Sequence, residues 1–129
     1  MKTIISNVRL GEERDKTTNS VYIENQKITA IAPFDSLKEE AQTTYNIING
    51  HGHLLIPGMI DVHIHGANNY DMMDGSTKSI QEVSKKCAET GCTSFLVTSV
   101  SSSLEDLLAM IRSVKKVIGH EEGAKIVGL

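Results

Sequence analysis

The 129-residue sequence has 40% hydrophobic and 22% charged residues, a balance typical of a soluble globular protein. Its 13 basic and 16 acidic residues give a net charge of −3, which predicts no basic surface for nucleic acid or for an anionic membrane. No apolar run approaches the about 20 residues of a membrane span, and the first residues lack the pattern of a signal peptide. We therefore expect a cytoplasmic protein with no nucleic-acid or membrane partner.

Residues 1–57 are predicted to form a small β-rich domain. Their short apolar runs have the composition of strands, and they cover residues 3–8, 21–23, 28–31 and 45–48. The second and third runs form a predicted hairpin, because Asn25 between them can adopt the positive φ of a tight turn. Pro33 is expected to end this hairpin, and residues 35–42 are predicted to form one helical turn.

Residues 58–129 alternate between predicted strands and helices. The first strand is predicted within residues 54–66, and two more are predicted at residues 93–98 and 125–129. Strands that are apolar nearly throughout and separated by helices indicate a parallel sheet with right-handed crossovers. In such sheets the functional groups lie at the carboxyl ends of the strands.

Two amphipathic helices are predicted between these strands. The first begins after the N-cap Ser76 and ends before Gly91. The second begins after Ser103, which forms a capping box with Asp106, and it ends before Gly119. The first helix is expected to bury a stripe formed by Ile80, Val83, Cys87 and Ala88. The second helix is expected to bury a longer stripe formed by Leu104, Leu107, Leu108, Ile111, Val114 and Ile118.

The stretch LLIPGMIDVHIHG ends in two histidines. Because side chains alternate along a strand, Asp61, His63 and His65 are predicted to share one face. The opposite face is predicted to be apolar, and it consists of Ile60, Val62 and Ile64. Neutral imidazole is a common ligand of divalent metals. His63 and His65, at the carboxyl end of the strand, are therefore predicted to form part of a metal site.

Other interpretations of the histidines are open. His63 and His65 could instead form hydrogen bonds within a core. A second HxH pair, His51 and His53, is too far along the extended chain to share an ion with the first pair, and we interpret it as a surface junction between the two parts. His120 follows a predicted helix and is expected to be solvated.

Three aspartates and two cysteines complete the candidate reactive side chains. Asp61 either orients a neighbouring group or is an ordinary hydrogen-bonded carboxylate. Asp71 and Asp74, in the loop after the histidines, either contact a substrate or serve the turn itself. Cys87 and Cys92 have neither the CxxC spacing of a metal site nor a disulfide framework, and we expect small buried hydrophobic residues.

The motif PGMIDVHIHG resembles the first barrel strand of the amidohydrolase superfamily. Within that superfamily, HGANNYDMMDGS and GCTSFLVTSV resemble the N-acetylglucosamine-6-phosphate deacetylase family. The early segment VYIENQKITAIA resembles the small β-domain that precedes the barrel in this family. The resemblance implies an α/β fold in which residues 1–57 form an incomplete β-sandwich and residues 58–129 form the first βαβαβ portion of a (β/α)8 barrel.

The resemblance also implies a function. Members of this family remove acetate from N-acetylglucosamine 6-phosphate with one or two divalent metals, and we expect zinc or iron. His63 and His65 match the HxH ligands of the binuclear members. The loop after Gly66 is usually richer in glycine than Ala67-Asn68-Asn69 of this sequence. The implied substrate is a small-molecule amino-sugar phosphate.

Further family residues have no counterpart in this sequence. In the family, a glutamate ligand, two more histidine ligands and the catalytic aspartate follow the third barrel strand. We expect the catalytic aspartate beyond Leu129, no catalytic residue within the chain, and no activity of the chain alone. Three parallel strands cannot close a barrel, and their open edges predict a homo-oligomer.

Two alternative functions are compatible with the same residues. Another amidohydrolase, acting on a cyclic amide or a nucleobase, would share the first motif. A non-catalytic oligomerisation module would contain the histidines without using them. Metal binding that depends on His63 and His65 would favour an amidohydrolase over such a module.

Overall fold

The computed structural model describes residues 2–11, 17–34 and 43–129. Its internal contacts divide the chain into two compact units, Met1–Pro57 and Gly58–Leu129. The predicted helical turn over residues 35–42 lies outside the described residues. Within the described ranges, no helix is both long enough and apolar enough to cross a membrane.

The first unit contains a four-stranded sheet. Its strands are β1 (Lys2–Arg9), β2 (Thr18–Glu24), β3 (Lys27–Pro33) and β4 (Asn46–Asn49), in the order β3-β2-β1-β4. β1 pairs antiparallel with β2 and parallel with β4. The strands predicted from the apolar runs are therefore confirmed.

The turn between β2 and β3 explains the hairpin. Asn25 has a φ of 49°, as predicted, and Gln26 also has a positive φ, of 65°. Two successive residues with positive φ are typical of a type I′ turn, whose twist matches that of the two strands. β3 ends at Pro33, as predicted.

The second unit is an α/β unit built on a parallel sheet. Its strands are β5 (Met59–Ile64), β6 (Gly66–Ala67), β7 (Tyr70–Asp71), β8 (Cys92–Val97) and β9 (Lys125–Gly128). The helices α1 (Thr77–Glu89) and α2 (Leu104–Val117) connect β7 to β8 and β8 to β9. β5, β8 and β9 form a parallel sheet in that order, and β6 pairs antiparallel with β7. The predicted alternation of parallel strands and helices is confirmed.

The core of the second unit lies between the sheet and the two helices. Its buried members are Met72, Ile80, Val83, Cys87, Phe95, Val97, Met110, Val114, Val117, Ala124 and Ile126. Cys87 is buried and Cys92 is partly buried, and both are free thiols, as predicted. Ala88 is exposed, so its predicted place in the stripe of α1 is wrong. Ser84 is buried instead, and its hydroxyl donates to the carbonyl oxygen of Ala124 over 2.8 Å.

The buried face of α2 differs from the predicted one. Leu104 is 72% exposed and Ile118 is 46% exposed, although both were predicted to be buried. The buried residues of this helix are Met110, Ser113, Val114 and Val117. At 100° per residue, the centre of this set lies about 100° around the helix from the centre of the predicted stripe. The prediction selected a neighbouring apolar stripe and omitted Met110 and Val117 as well as Ser113. The hydroxyl of Ser113 donates to the carbonyl oxygen of Gly75 over 2.7 Å, which makes this polar residue suitable for burial.

Candidate metal centre

His63 and His65 lie together at the carboxyl end of β5. The Nε2 atoms of the two rings are 3.1 Å apart. Their ring centroids are 4.8 Å apart, and the ring planes meet at 90°. The structure therefore brings together the two residues that were predicted to be metal ligands.

A β-bulge places these side chains. Asp61 is opposite Phe95 and Ile64 is opposite Val97, so β5 has one residue more than β8 between these two pairs. An extra residue interrupts the alternation of side chains along a strand and re-aims its neighbours. Val62 and His63 both line one cavity.

The bulge also changes the two faces predicted for β5. Ile60 is 62% exposed and Val62 is 66% exposed, whereas Ile64 packs against the core, so the prediction that the three residues share one face is wrong. Ile64 is partly buried and packs against the core, as predicted. The prediction assumed strict alternation, which the extra residue removes.

Asp61 stabilises the bulge. One of its carboxylate oxygens accepts the backbone N–H of His63 over 3.0 Å. The pKa of the Cys87 thiol on α1 is raised mainly by burial and then by its neighbours Cys92 and Asp61. Because Asp61 pairs with the core residue Phe95 on the neighbouring strand, it lies toward the helix-covered side of the sheet. The prediction that it shares the face of the histidines is therefore wrong.

The contacts of His65 fix which ring nitrogen is free to bind a ligand. Its Nδ1 lies 3.2 Å from the backbone carbonyl oxygen of Thr98. A carbonyl oxygen can only accept, so Nδ1 holds the proton in this contact, and Nε2 is left with a lone pair. Metal-binding histidines typically bond through their second ring nitrogen in this way.

The histidine pair fits two neighbouring ligand positions of one divalent ion. Two nitrogen ligands of tetrahedral zinc, each about 2.0–2.1 Å from the ion, are about 3.3 Å apart. The observed separation of the Nε2 atoms is 3.1 Å. Among the described residues, no group of three or more His, Cys, Asp or Glu side chains could hold a metal ion. A catalytic zinc site usually has three protein ligands, and the histidine pair in the described part of the chain has the geometry of two of them.

A cavity of about 260 Å³ lies next to His63. It is lined by Val62, His63, Leu96, Val97, Thr98, Ser99 and Leu129. Most of its walls therefore come from the carboxyl ends of β5, β8 and β9 or from the residues that follow them. A small molecule in this cavity could reach the histidine pair.

The other histidines lie in exposed turns. His51 and His53 are both exposed, and His51 has a positive φ of 51° within a turn of the first unit. The carbonyl oxygen of His53 accepts the backbone N–H of Arg9 over 2.9 Å, which extends the pairing of the first sheet. His120 is exposed after α2, as predicted.

The loop after the histidines is held by its own carboxylates. Asp71 accepts the N–H of Met73 over 2.8 Å, and Asp74 accepts the N–H of Asp71 over 3.0 Å. Asp74 also accepts the hydroxyl of Ser79 over 2.8 Å. The contacts of both aspartates agree with the interpretation that they serve the turn. A Cβ at Gly66 would lie 2.3 Å from the carbonyl oxygen of Tyr70, so the β6–β7 pair requires glycine there.

Replacing Asp74 with asparagine is expected to make the stability of the protein less dependent on acid pH. The N–H of Asp71 and the hydroxyl of Ser79 lower the pKa of Asp74 in the folded state, in spite of some desolvation. The charged carboxylate therefore stabilises the fold above its unfolded pKa of about 3.9, and this contribution is lost as the pH falls through the lower folded pKa. Urea unfolding of Asp74→Asn and the wild type across this range measures the effect. A difference between the two proteins that does not change with pH would contradict it.

Thr98 is a site residue that the sequence did not identify. It follows β8, and besides its contact with His65, its Oγ1 accepts the N–H of Ile64 over 3.2 Å. The sequence offered one indication, because Thr98 ends the strand that was predicted to lie next to the histidine strand. A contact through a backbone carbonyl, however, leaves no pattern in the choice of side chains.

The sequence is similar to several curated proteins that have the same name. No protein-family model matches the sequence. N-acetylglucosamine-6-phosphate deacetylase of Bacillus subtilis (strain 168) is 28% identical over 134 residues, which cover 98% of this chain and 32% of that protein. The enzyme of the same name from Vibrio furnissii is 31% identical over 107 residues, which cover 81% of this chain and 25% of that protein.

The fold is similar to that of a solved structure of a protein with this name. The crystal structure of N-acetylglucosamine-6-phosphate deacetylase from Pasteurella multocida matches with a TM-score of 0.78 at 19% sequence identity, over 96% of this chain and 32% of that one. The chain thus spans about a third or less of the length of the proteins that it matches. Its sequence similarity to curated proteins of this name confirms the resemblance that the motifs indicated, and the chain is a homologue of part of the N-acetylglucosamine-6-phosphate deacetylases.

Proposed function

We propose that the chain is the metal-binding part of a deacetylase that removes acetate from N-acetylglucosamine 6-phosphate in amino-sugar catabolism. His63 and His65 are the proposed ligands of a divalent metal, zinc or iron. The observation that supports this best is the pair of Nε2 atoms, 3.1 Å apart, at the carboxyl end of a parallel strand. Relatives named as deacetylases match nearly the whole chain, which supports the choice of reaction.

The proposed architecture is the start of a (β/α)8 barrel preceded by an incomplete β-sandwich. The parallel strands β5, β8 and β9 are neighbours in the sheet in the same order as in the sequence. Along the chain, α1 comes between β5 and β8, and α2 comes between β8 and β9. This is the arrangement of consecutive strands in a barrel of this type. Residues 1–57 are the proposed sandwich portion and residues 58–129 the proposed barrel portion.

The proposed mechanism assigns a separate task to each residue of the site. A divalent ion would supply Lewis-acid activation of water and of the acetamide carbonyl. His63 and His65 bind the ion through Nε2. Asp61 fixes the backbone of His63, and the cavity beside His63 holds part of the substrate. The aspartate that transfers the proton is proposed to lie outside these 129 residues, as are the remaining ligands.

The function is tested by measuring acetate released from N-acetylglucosamine 6-phosphate. The 129-residue chain loaded with Zn²⁺ or Fe²⁺ is expected to release none, because its described residues offer two of the three ligands that a catalytic site needs. The protein encoded by the complete reading frame around this sequence is expected to release acetate. Turnover by the chain alone would overturn its proposed incompleteness. Hydrolysis of a cyclic amide or a nucleobase instead, by the complete protein, would overturn the substrate.

A non-catalytic oligomerisation module is the second candidate. Large apolar side chains are exposed in both units, among them Ile28, Ile31, Ile60, Val62, Val127 and Leu129. Exposed apolar side chains next to open sheet edges favour association with another chain, so a homo-oligomer is part of our proposal. A module of this kind would not need a metal, and the metal measurements in the Discussion distinguish the two candidates.

A further inference from the structure

Three hydrogen bonds join the end of β5 to the single residue Thr98. The N–H of Ile64 donates to Thr98 Oγ1 over 3.2 Å, and the N–H of Thr98 donates to the carbonyl oxygen of Ile64 over 3.2 Å. The third is the bond from His65 Nδ1 to the carbonyl oxygen of Thr98, also 3.2 Å. The N–H, the carbonyl oxygen and the hydroxyl of Thr98 thus each form a hydrogen bond with Ile64 or His65.

These three bonds lie next to an irregularity in the pairing of β5 with β8. The pairing of β5 with β8 is irregular between Asp61 and Ile64, where β5 contains the extra residue. Thr98 forms its bonds directly after this irregularity, so it restores the alignment of the two strands at the point where His65 begins. Without the hydroxyl, the partly buried N–H of Ile64 would lose this hydrogen bond.

We propose that Thr98 is a positioning residue for His65. Its hydroxyl holds the backbone before His65, and its carbonyl holds the imidazole with the proton on Nδ1. Nε2 of His65 then faces Nε2 of His63 with its lone pair available. This inference rests on the proposed function, because positioning matters only where His65 binds a metal.

The contact between the two rings agrees with this assignment. If Nδ1 of His65 holds the proton, Nε2 of His65 can only accept, so His63 must donate from its own Nε2 over the observed 3.1 Å. The two tautomers of the metal-free chain are therefore linked, and the proton of His63 must move from Nε2 to Nδ1 before both Nε2 atoms can bind one metal ion. A change in the tautomer of His65 would break the contact with His63 as well as the contact with Thr98.

Three variants separate positioning from general stability. Thr98→Val removes the hydroxyl and keeps the shape of the side chain, and Thr98→Ser keeps the hydroxyl. Thr93→Val is the matched control, because the Thr93 hydroxyl donates to the carbonyl oxygen of Met59 over 3.4 Å at the opposite end of the same pair of strands. All three variants use the 129-residue chain.

Two measurements are made on each protein. The first is the affinity for Co²⁺ and Zn²⁺ by calorimetric titration. Thr98→Val is expected to weaken it by less than the about 10–100-fold that is usual when the partner of a metal-binding histidine is removed, because the variant loses the bond to Ile64 and keeps the carbonyl that contacts His65. Thr98→Ser and Thr93→Val are expected to bind as the wild type does. The second is the tautomer of His65 in metal-free protein, from ¹⁵N NMR at a pH well above about 6.5, where imidazole is neutral.

The NMR measurement separates failure of this inference from failure of the proposed function. We expect the Nδ1–H tautomer of His65 in the wild type and in Thr98→Ser, and a mixture of tautomers in Thr98→Val. If the wild type binds no metal but shows this pattern, the proposed function fails and the positioning role stands. An Nε2–H tautomer in the wild type would overturn the positioning role of the Thr98 carbonyl. A Thr98→Val protein with unchanged tautomer and unchanged affinity would overturn the positioning role of its hydroxyl.

Discussion

Replacing His63 and His65 together with alanine is expected to abolish stoichiometric binding of Zn²⁺ and Co²⁺ to the chain. The two Nε2 atoms are the proposed ligand atoms, and the described residues contain no group of three or more metal-binding side chains that could hold the ion in their place. Removing both ligands of a two-ligand site leaves no chelate, so the apparent affinity should fall by about 100-fold or more. Calorimetric titration, with metal analysis of the purified protein, measures this loss.

The matched control is the other HxH pair. His51 and His53 have the same spacing in the sequence, but they are exposed in a turn of the first unit, and His51 has a positive φ. The double variant His51→Ala/His53→Ala should therefore bind metal as tightly as the wild type does. If the two double variants lose metal equally, or if neither loses any, His63 and His65 are not the metal site. The oligomerisation module would then become the better candidate.

Replacing Phe95 with alanine is expected to lower the free energy of unfolding of the second unit by about 3–5 kcal/mol. Phe95 on β8 is completely buried and belongs to the core between the sheet and both helices. A typical domain is stable by only about 5–15 kcal/mol, so this loss removes a large part of the stability of the unit. Urea unfolding, followed by NMR signals from α1 and α2, gives the value.

Leu104→Ala is the control for this prediction. Leu104 is 72% exposed at the start of α2, so its truncation should change the free energy of unfolding by no more than about 0.5 kcal/mol. The sequence pattern placed Leu104 in the core and did not include Phe95 in a predicted stripe. A larger loss for Leu104→Ala than for Phe95→Ala would show that the second unit packs differently in solution.

The strands and helices were predictable because their signals are local. Ser76 and Ser103 each accept a backbone N–H three residues later, as their N-cap predictions required. Gly91 and Gly119 have positive φ just past the two helices. Each of these features depends on a few neighbouring residues, which a sequence displays directly.

The buried face of α2 was not predictable in the same way. The choice between neighbouring stripes of a helix depends on what packs against it. Here Ser113 is buried because a carbonyl oxygen, that of Gly75, is present to accept its hydroxyl. That oxygen belongs to a loop distant in sequence, and counting apolar side chains omits such a partner.

The candidate site was predictable in part for the same reason. The spacing of His63 and His65 predicts that both lie at the end of one strand, but it does not predict that their Nε2 atoms lie 3.1 Å apart. The bulge beside them depends on the register between two strands that are far apart in the sequence. The position of Asp61, on the helix-covered side, follows from that register and not from strand periodicity.

The extra residue in β5 has a consequence for protein engineering. Along a regular strand, residues two apart are separated by about 6.6 Å, and nothing turns their side chains toward each other. In this chain the ring nitrogens of the two histidines are 3.1 Å apart. Three features occur next to them: the bulge, the bond from the His63 N–H to Asp61, and the bond from His65 to Thr98. The unit to graft onto another parallel sheet is therefore a pair of strands with a defined misalignment. Copying the three letters HxH alone would transfer the ligands without the geometry that makes them a pair.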